Sequence, residues 1–278
     1  MTAQIAAAYV VIGNPIAHSK SPDIHAHFAA ETGQDMRYAR LLAPLDGFVA
    51  TVQEFIGQGG RGANVTVPFK LEAYALANSL TARAQAAGAV NTLKFDGGDI
   101  LGDNTDGVGL VTDIAHNAGF DLAHKKILLL GAGGAARGVL LPLLERQPAQ
   151  LTIANRTAAK AQQLVQQFQP YSGAGCILSA CGFAEATQQY DLVINATSAS
   201  LQAELPPLAA SVFGPATLAY DMMYGPQPTI FMQFAASHGA RVRDGLGMLV
   251  EQAAESFFIW RGVRPGTDAV FAALRAQL

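Results

Sequence analysis

The sequence predicts an α/β protein with two domains, and three observations lead to this fold class. Short apolar segments rich in β-branched residues alternate with helical segments along the whole chain. The chain has 278 residues, of which half are apolar and 14% are charged, so it can form large buried cores. A glycine-rich turn follows an apolar strand in the middle of the chain. Alternation of this kind is typical of βαβ units and a mostly parallel sheet.

The N-terminal part of the chain contains the first series of predicted elements. The predicted strands are residues 9–12, 37–42, 62–67 and 89–95. The predicted helices are residues 22–31, 45–58 and 69–77. Pro22 suits the first turn of its helix, and Ser21 is a candidate N-cap.

A second α/β series begins near Asp106. Its predicted strands are residues 126–130, 150–154, 175–178, 191–195 and 217–221, and its predicted helices are 134–145 and 157–168. After Gly245 only two helices follow, at 246–262 and 267–277, and they have no strand of their own. We therefore expect a discontinuous domain of residues 1–105 and 245–278, into which a dinucleotide-binding domain of residues 106–244 is inserted.

Composition and charge argue against several classes of function. The net charge is −3 and the cationic residues are scattered, so a nucleic-acid partner is not expected. The hydrophobic region 127–144 contains Arg137 and Pro142, which a membrane span rarely tolerates. The first residues lack a basic export signal, so we expect a cytoplasmic protein. Cys176 and Cys181 are expected to be reduced, and no cluster suggests a metal site.

A glycine motif follows the predicted strand Lys126–Leu130 and matches G-x-G-x-x-A. Gly131 would allow the tight turn, Gly133 a close approach to a pyrophosphate, and Ala136 close packing of helix on strand. The helix N-terminus would offer free N–H groups to the phosphates. We expect the turn residues to bind the cofactor: Gly131, Ala132, Gly133, Gly134 and Ala135. A simple βα turn without a ligand is the alternative.

The end of the next strand predicts which dinucleotide is bound. It reads Asn155-Arg156-Thr157, where an NAD enzyme usually has Asp or Glu for the ribose 2′-hydroxyl. Asn155 does not repel a 2′-phosphate, and Arg156 can bind it through two hydrogen bonds. Lys160 would lie on the same helical face and add a positive charge. We therefore predict NADP, with two solvated surface cations as the alternative.

Polar residues near the predicted strand 62–67 indicate a small hydroxyl-binding pocket. Asn64, Thr66, Asn91 and Asp106 would surround Lys70, one of only six lysines in the chain. Reduction of a ketone needs a hydride for the carbon and a proton for the oxygen, and an ammonium group can supply that proton. Taken singly, each residue could instead be a helix cap, a turn former or a surface residue.

Five further segments carry a distinctive pattern: residues 13–22 (GNPIAHSKSP), 64–70 (NVTVPFK), 88–92 (GAVNT), 102–107 (GDNTDG) and 244–252 (DGLGMLVEQ). In this order and spacing they resemble the shikimate dehydrogenase family of NADP-dependent oxidoreductases. The resemblance spans about residues 9–262. It implies reversible NADPH-dependent reduction of 3-dehydroshikimate to shikimate, a step of chorismate and aromatic amino-acid biosynthesis.

The resemblance also implies roles for individual residues. Ser19 and Ser21 match the pair that binds the substrate carboxylate, and Lys70 and Asp106 match the catalytic pair. Tyr224 matches a tyrosine near the carboxylate. The ring hydroxyls would be bound by Thr66, Asn91, Asp106 and Gln252, and the nicotinamide would be bordered by Met222, Gly245 and Met248.

Two positions depart from the family pattern, and three rival functions stay open. Ser200 stands where a glycine is usual, and Ala82 stands where a charged residue is frequent. The rivals are a quinate/shikimate dehydrogenase that tolerates NAD, a shikimate-binding regulator without turnover, and a dinucleotide enzyme with another substrate. Arg156 and Lys160 disfavour the first, and the Lys70 and Asp106 pair disfavours the second. The protein is expected to be a monomer or a homodimer.

Overall fold

The computed structural model describes residues 7–197, 199 and 204–278, and the chain forms two compact units. The first unit comprises the described residues up to Thr105 together with Val250–Leu274. The second comprises Asp106–Leu249 and Arg275–Leu278. Each unit contains one six-stranded sheet, so the predicted α/β class is confirmed.

The described part of the chain contains twelve strands and ten α-helices. The strands are β1 (Ala7–Gly13), β2 (Met36–Leu42), β3 (Gly60–Val65), β4 (Ser79–Leu80), β5 (Thr92–Asp96), β6 (Asp99–Asp103), β7 (Lys126–Leu130), β8 (Gln150–Ala154), β9 (Ile177–Cys181), β10 (Leu192–Asn195), β11 (Leu218–Asp221) and β12 (Arg241–Arg243). The helices are α1 (Ser21–Thr32), α2 (Phe48–Gly57), α3 (Lys70–Leu76), α4 (Ala82–Ala87), α5 (Asp106–Thr112), α6 (Gly134–Leu144), α7 (Ala158–Phe168), α8 (Ile230–Ser237), α9 (Leu246–Arg261) and α10 (Asp268–Arg275).

The sheet of the first unit is mixed, in the order β2-β1-β3-β5-β6-β4. β1 pairs in parallel with β2 and β3, whereas β5 is antiparallel to both β3 and β6. Strand β6 was not predicted from the sequence. Gly97 and Gly98 join it to β5 with φ of 56° and 97°, which is the two-residue turn that favours a tight hairpin. The Asp-Gly-Gly-Asp sequence carries this signal, so the hairpin could have been found.

Helix α9, the penultimate helix of the chain, packs against the first sheet through Trp260. Its Nε1–H donates a hydrogen bond of 2.9 Å to the carbonyl oxygen of Leu93 in β5. A Cβ on Gly62 would lie 2.5 Å from that nitrogen, so only glycine allows this approach. Residues Val250–Leu274 belong to the first unit, whereas Arg275–Leu278 are grouped with the second.

The second unit has a fully parallel sheet, in the order β12-β11-β10-β7-β8-β9. Read from the other edge, this is the 3-2-1-4-5-6 order of the doubly wound dinucleotide-binding fold. The order reverses between β7 and β10, and ligands of such sheets bind beyond the carboxyl ends of the strands at that point. Leu128, Leu130 and Val193 belong to the buried core beneath that edge.

Helix α5 continues into a π-helical turn, Asp113–Asn117, which holds a buried carboxylate. Asp113 is completely buried and accepts hydrogen bonds from Arg243 (2.7 Å from Nε), the Tyr220 hydroxyl (2.8 Å) and Asn117 (2.9 Å). Gly247 lies against the same carboxylate, where a side chain would collide with it. A buried charge is tolerated here because it has both an opposite charge and hydrogen bonds.

Several element boundaries differ from the sequence predictions. Strand β9 begins at Ile177 rather than Gly175, and α2 begins at Phe48 rather than Leu45. Helix α8 and the short strands β4 and β12 were not predicted. β12 is only three residues long and two of them are arginines, so its apolar pattern is too weak to read. Thr229 does cap α8, since its hydroxyl accepts from the backbone N–H of Met232 at 3.2 Å.

Candidate active site

The glycine turn in the second unit has the backbone geometry that its motif predicts. Gly131 has a φ of +107°, and its N–H donates to the Ala154 carbonyl at 2.8 Å. A Cβ at Gly131 would lie 3.2 Å from the carbonyl oxygen of Ala196. Both the conformation and the close approach therefore require glycine at this position.

The start of helix α6 leaves its backbone donors without a side-chain cap. Gly133 is the N-cap residue, its backbone is extended, and no described side chain accepts from the first turn. A Cβ placed on Gly133 or Gly134 would meet no heavy atom of the described residues within 4 Å. The open space in front of these N–H groups and the positive end of the helix dipole suit a phosphate.

A cavity of about 670 Å³ lies at this turn, beyond the carboxyl ends of β7, β8 and β10. It is lined by Gly131, Ala132, Gly133, Gly134, Ala135, Asn155, Arg156, Lys160, Phe183, Ala196, Thr197, Ala199, Glu204, Leu205, Pro206 and Pro207. The structure thus brings together eight of the nine residues predicted at the adenosine and phosphate end of the cofactor.

The ninth, Thr157, is exposed at the N-cap of α7 and does not line the cavity. Its carbonyl oxygen accepts from the Asn155 side-chain amide at 3.0 Å, which holds Asn155 at the end of β8. Arg156 and Lys160 are both exposed. The end of β8 is followed by Asn155-Arg156-Thr157, which carries no carboxylate. Among the described lining residues, the acidic one is Glu204, which comes from another segment.

The segment after β10 forms one wall of this cavity, through Ala196, Thr197 and Ala199. The Asn195 side-chain oxygen accepts from the Thr197 backbone N–H at 3.1 Å and from its hydroxyl at 2.7 Å. The Asn195 amide donates to Asp221 at 3.3 Å. The Asn-Ala-Thr sequence was a signal for this turn. Ser200, where the chain departs from the family pattern, lies outside the described residues.

The residues predicted to border the nicotinamide also belong to the second unit. Gly245 packs directly on the Met222 carbonyl, leaving no room for a side chain, and its N–H donates to the Met223 carbonyl at 3.0 Å. Met222 and Met248 are both buried. Met222, which follows β11, and Gly245, which precedes α9, are therefore in contact.

Tyr224 follows β11 and is 38% exposed. Partial burial raises the pKa of its hydroxyl above the usual value for tyrosine, and the negative charge of Asp244 raises it further. Tyr224 is therefore a neutral hydrogen-bond donor and acceptor at physiological pH.

Ser19 and Ser21 lie side by side in the first unit. Their hydroxyls are 3.2 Å apart, and the backbone N–H of Ser21 donates to the Ser19 hydroxyl at 3.3 Å. Arg40 holds the loop, since its Nε–H donates to the Ser19 carbonyl at 3.0 Å. The pair thus places two adjacent hydroxyls at the start of α1, with the Ser19 O–H donating to Ser21.

Thr66 and Lys70 occupy the turn between β3 and α3. Thr66 follows β3 directly, and its N–H donates to the Ile12 carbonyl at 2.9 Å. Phe69 is completely buried and stacks on Phe48 at 5.0 Å, which fixes the start of α3. Lys70 is the first residue of that helix, is half-buried, and its carbonyl accepts from Val90 N–H at 3.0 Å.

Asn91 and Gln252 are brought together in a buried polar network. The Asn91 amide donates to Gln252 Oε1 at 3.4 Å and to the Thr105 hydroxyl at 3.0 Å. Its side-chain oxygen accepts from the Thr105 backbone N–H at 2.9 Å. Asn91 is 3% exposed, so its orientation is set by these partners. Asp106, the next residue after Thr105, begins α5 and is counted with the second unit.

Asn64 connects this network to the serine pair, a role that sequence reasoning missed. Its side-chain oxygen accepts from the Tyr38 hydroxyl at 2.7 Å and lies 3.3 Å from His25 Nε2. Its amide donates to Ser256 at 3.0 Å and to Thr92 at 3.2 Å. No sequence motif joins these residues, because they come from five separate segments.

His25 is completely buried and Tyr38 is half-buried, and both are uncharged in this network. Burial raises the pKa of Tyr38 well above its usual value, and a hydrogen bond with Ser21 opposes that shift. Burial lowers the pKa of His25 to about 3, and its hydrogen bond to Asn64 opposes the shift in part. The two rings stack with centroids 4.2 Å apart.

Further features of the described residues concern membrane spans, metal binding, the two cysteines and Ala82. Within residues 7–197, 199 and 204–278, no helix has the length and apolarity needed to cross a membrane. The same residues contain no group of three or more His, Cys, Asp or Glu that could hold a metal ion. Cys176 and Cys181 are not disulfide-bonded. Ala82, the other departure from the family pattern, is the first residue of α4 and follows its N-cap, Thr81.

Comparisons with known proteins agree with this arrangement. Three family models match: the shikimate dehydrogenase substrate-binding domain over residues 11–93, shikimate/quinate 5-dehydrogenase over 113–203, and the shikimate 5′-dehydrogenase C-terminal domain over 245–275. The shikimate dehydrogenase (NADP(+)) of Herminiimonas arsenicoxydans is 70% identical over 97% of both chains.

Two solved structures are similar over nearly the whole chain. An Ael1 enzyme from Pseudomonas putida has a TM-score of 0.91 and 49% identity, covering 96% of this chain and 98% of its own. Shikimate 5-dehydrogenase from Thermus thermophilus, solved in complex with NADP(H) and shikimate, has a TM-score of 0.86 and 32% identity, covering 98% and 100%.

The fold and the glycine-lined cavity define a doubly wound dinucleotide-binding protein with a second α/β unit. Given the identity over almost its full length, the chain belongs to the shikimate dehydrogenase family.

Proposed function

We propose that this protein catalyses the reversible reduction of 3-dehydroshikimate to shikimate with NADPH. Family membership supports the reaction class. The observation that carries the proposal is the cavity at the glycine turn, where Arg156 and Lys160 stand in place of the acidic residue of an NAD site. The first unit adds a set of oriented hydroxyl and amide groups that suits a polyhydroxylated acid.

The second unit would hold the cofactor. The backbone N–H groups of Gly133 to Ala135 suit the pyrophosphate, and Arg156 and Lys160 suit the 2′-phosphate. Asn155 is neutral and adds no repulsion to a doubly charged phosphate. NADPH, when bound, supplies the hydride. Met222, Gly245 and Met248 would border the nicotinamide, as family resemblance implies.

The first unit would hold most of the substrate. The adjacent hydroxyls of Ser19 and Ser21 can donate to the two oxygens of the carboxylate. Thr66, Asn91 and Gln252 would bind the ring hydroxyls. Since the amides of Asn91 and Gln252 already have protein partners, their donors and acceptors are fixed in direction before substrate arrives. Family resemblance implies that Tyr224 and Asp106 also contact the substrate.

Lys70 and Asp106 would carry out the proton transfer. The Lys70 ammonium would donate a proton to the ketone oxygen as negative charge develops there, and take it back in the reverse direction. Asp106 would accept a hydrogen bond from the same hydroxyl and balance the charge of the lysine. A substrate that lacks the hydroxyl would leave these groups unpaired, so the site should discriminate strongly.

We further infer that the protein works in the cytoplasm, in chorismate and aromatic amino-acid biosynthesis, as a monomer or a homodimer. Residues 1–105 and 245–278 would form the substrate domain and residues 106–244 the NADP domain. Family membership supports both the pathway and the reaction.

The direct test is absorbance in the NADPH band after mixing the protein with shikimate and NADP. Absorbance should rise, and the rate should be much lower when quinate replaces shikimate or NAD replaces NADP. Comparable rates in all arms would instead indicate the quinate/shikimate branch with NAD tolerance. Shikimate binding without any absorbance change would contradict the enzymatic proposal.

A further inference from the structure

A second, smaller cavity adjoins the one at the glycine turn. It has a volume of about 290 Å³ and lies between α6 and α7. Its lining residues are Ala132, Arg137, Lys160, Gln163, Leu164 and Gln167. Ala132 and Lys160 line both cavities, so the two cavities adjoin at these residues.

Arg137 in this cavity has a buried donor with no acceptor. Its Nε–H is inaccessible to water and makes no hydrogen bond among the described residues. A guanidinium is always charged and has five N–H donors. A buried donor that lacks a partner is unfavourable, and more so on a charged group, and such groups are rare in folded proteins. The Arg137 guanidinium therefore has the capacity to bind an acceptor that is not part of the chain.

The other lining residues give the cavity the character of an anion site. Two of the six carry a positive charge, Arg137 and Lys160, and none carries a carboxylate. Gln163 and Gln167 add side-chain amides. The Arg137 backbone N–H donates to the Gly133 carbonyl at 3.0 Å, so the residue lies one turn into the helix that begins at the cofactor turn.

We propose that Arg137 is a further specificity-determining residue, whose guanidinium binds the 2′-phosphate of NADP together with Lys160. Arg156 lines only the large cavity, Arg137 only the small one, and Lys160 both. A phosphate held at Lys160 would then be contacted by cations from two sides. A phosphate there would give the Arg137 guanidinium an acceptor, and a charge-assisted hydrogen bond of this kind is strong. This inference rests on the proposed use of NADP.

The test is isothermal titration of the whole protein with three nucleotides that separate the phosphate positions. 2′,5′-ADP carries the 2′-phosphate, ADP carries the pyrophosphate, and 5′-AMP carries neither. Arg137→Ala should weaken 2′,5′-ADP about tenfold or more and leave ADP and 5′-AMP unchanged. Arg146→Ala, which removes an exposed cation just beyond the same helix, is the matched control and should change none of the three.

Two results would overturn the inference. Unchanged 2′,5′-ADP binding in Arg137→Ala would show that the guanidinium does not reach the phosphate. Weakened ADP binding with unchanged 2′,5′-ADP binding would place it at the pyrophosphate instead. If Arg137→Ala does not fold, Arg137→Lys allows the same comparison, because it keeps the charge but loses the planar set of donors. Binding of 5′-AMP reports that the site is folded.

The same titration separates this inference from the choice of NADP. A wild-type protein that binds 2′,5′-ADP no better than 5′-AMP would reject the NADP assignment itself. If wild type prefers 2′,5′-ADP and Arg156→Ala loses that preference while Arg137→Ala keeps it, only the role of Arg137 is rejected.

Discussion

In the second unit the candidate cofactor site consists of backbone N–H groups and exposed cations, whereas in the first unit Asn91 and Gln252 belong to a buried network of hydrogen-bonded side chains. The glycine turn has open space in front of it, and Arg156 and Lys160 are exposed. Asn64 and Asn91, by contrast, are almost fully buried and each bonds several partners. Changes in the first unit should therefore affect folding and function together, and changes at the turn should affect binding alone.

The largest effect is expected from Lys70→Ala. Loss of the proton donor should lower kcat by about a hundredfold to ten-thousandfold with a smaller change in KM, because the lysine acts mainly in the transition state. Steady-state kinetics with shikimate and NADP measure this. Glu72→Ala, an exposed change on the same helix, is the control and should keep full activity. A near-wild-type kcat in Lys70→Ala would remove the lysine from the mechanism.

Asn64→Ala tests whether the buried polar network of the first unit contributes to the stability of the protein. The change leaves the Tyr38 hydroxyl, the Thr92 hydroxyl and the Ser256 hydroxyl short of a partner in a buried place. We expect a loss of about 2–4 kcal/mol in the free energy of unfolding, measured by urea denaturation.

The control for this experiment is Asn78→Ala, an exposed asparagine whose side chain accepts one backbone hydrogen bond from Ile100. It should cost clearly less than Asn64→Ala. Equal losses for the two variants would show that the buried network adds nothing beyond a single hydrogen bond.

Arg156→Ala tests the opposite expectation for the second unit. The KM for NADPH should rise about tenfold to a hundredfold while the KM for NADH stays nearly constant, because only NADPH carries the 2′-phosphate. The urea midpoint should not move, since the side chain is exposed. Parallel changes in both KM values would argue against a phosphate contact.

His25 should make the stability of the protein depend on pH. Its pKa is about 3 in the folded state against 6.5 in the unfolded chain, because burial disfavours the charged ring. The unfolded state therefore binds the extra proton below pH 6.5. The contribution of the neutral His25 to the free energy of unfolding is fully present above that pH. It is lost as the pH falls toward 3, by up to about 1.4 kcal/mol per pH unit.

In His25→Phe this part of the pH dependence should disappear. The variant also loses the contact with Asn64, so its stability at neutral pH should be lower, while the difference from wild type narrows on acidification. Urea denaturation from pH 7 to pH 4 measures both slopes. Identical slopes for the two proteins would mean that the folded protein accommodates the charged ring.

Gly134→Ala should have the smallest effect on stability and still weaken cofactor binding. The added Cβ points into open space, and alanine is the better helix former, so the free energy of unfolding should stay the same or rise by less than about 1 kcal/mol. The methyl group would occupy room that a pyrophosphate needs. NADP affinity should fall, as measured by titration, and an unchanged affinity would place the phosphates elsewhere.

The extent of sequence-based prediction differs between the two units for a physical reason. The turn at Gly131 and the end of β8 at Asn155 are contiguous in sequence, and local backbone chemistry dictates their form. Asn64, Tyr38 and Ser256 are far apart in the chain and have no local pattern, so their hydrogen bonds were not foreseen. The β5–β6 hairpin was a different kind of miss, because its Gly97-Gly98 turn was a readable local signal.

The sequence by itself determined the α/β class, the glycine turn, the neutral residue and cations that follow β8, and membership of the family through its separate motifs. Periodicity and turn chemistry are local properties, so a single chain reveals them. Only the tertiary structure decided which buried polar groups share partners and that Arg137 adjoins Lys160 with a donor left over. Those facts depend on packing between segments distant in sequence, where burial decides whether a polar group must find a partner.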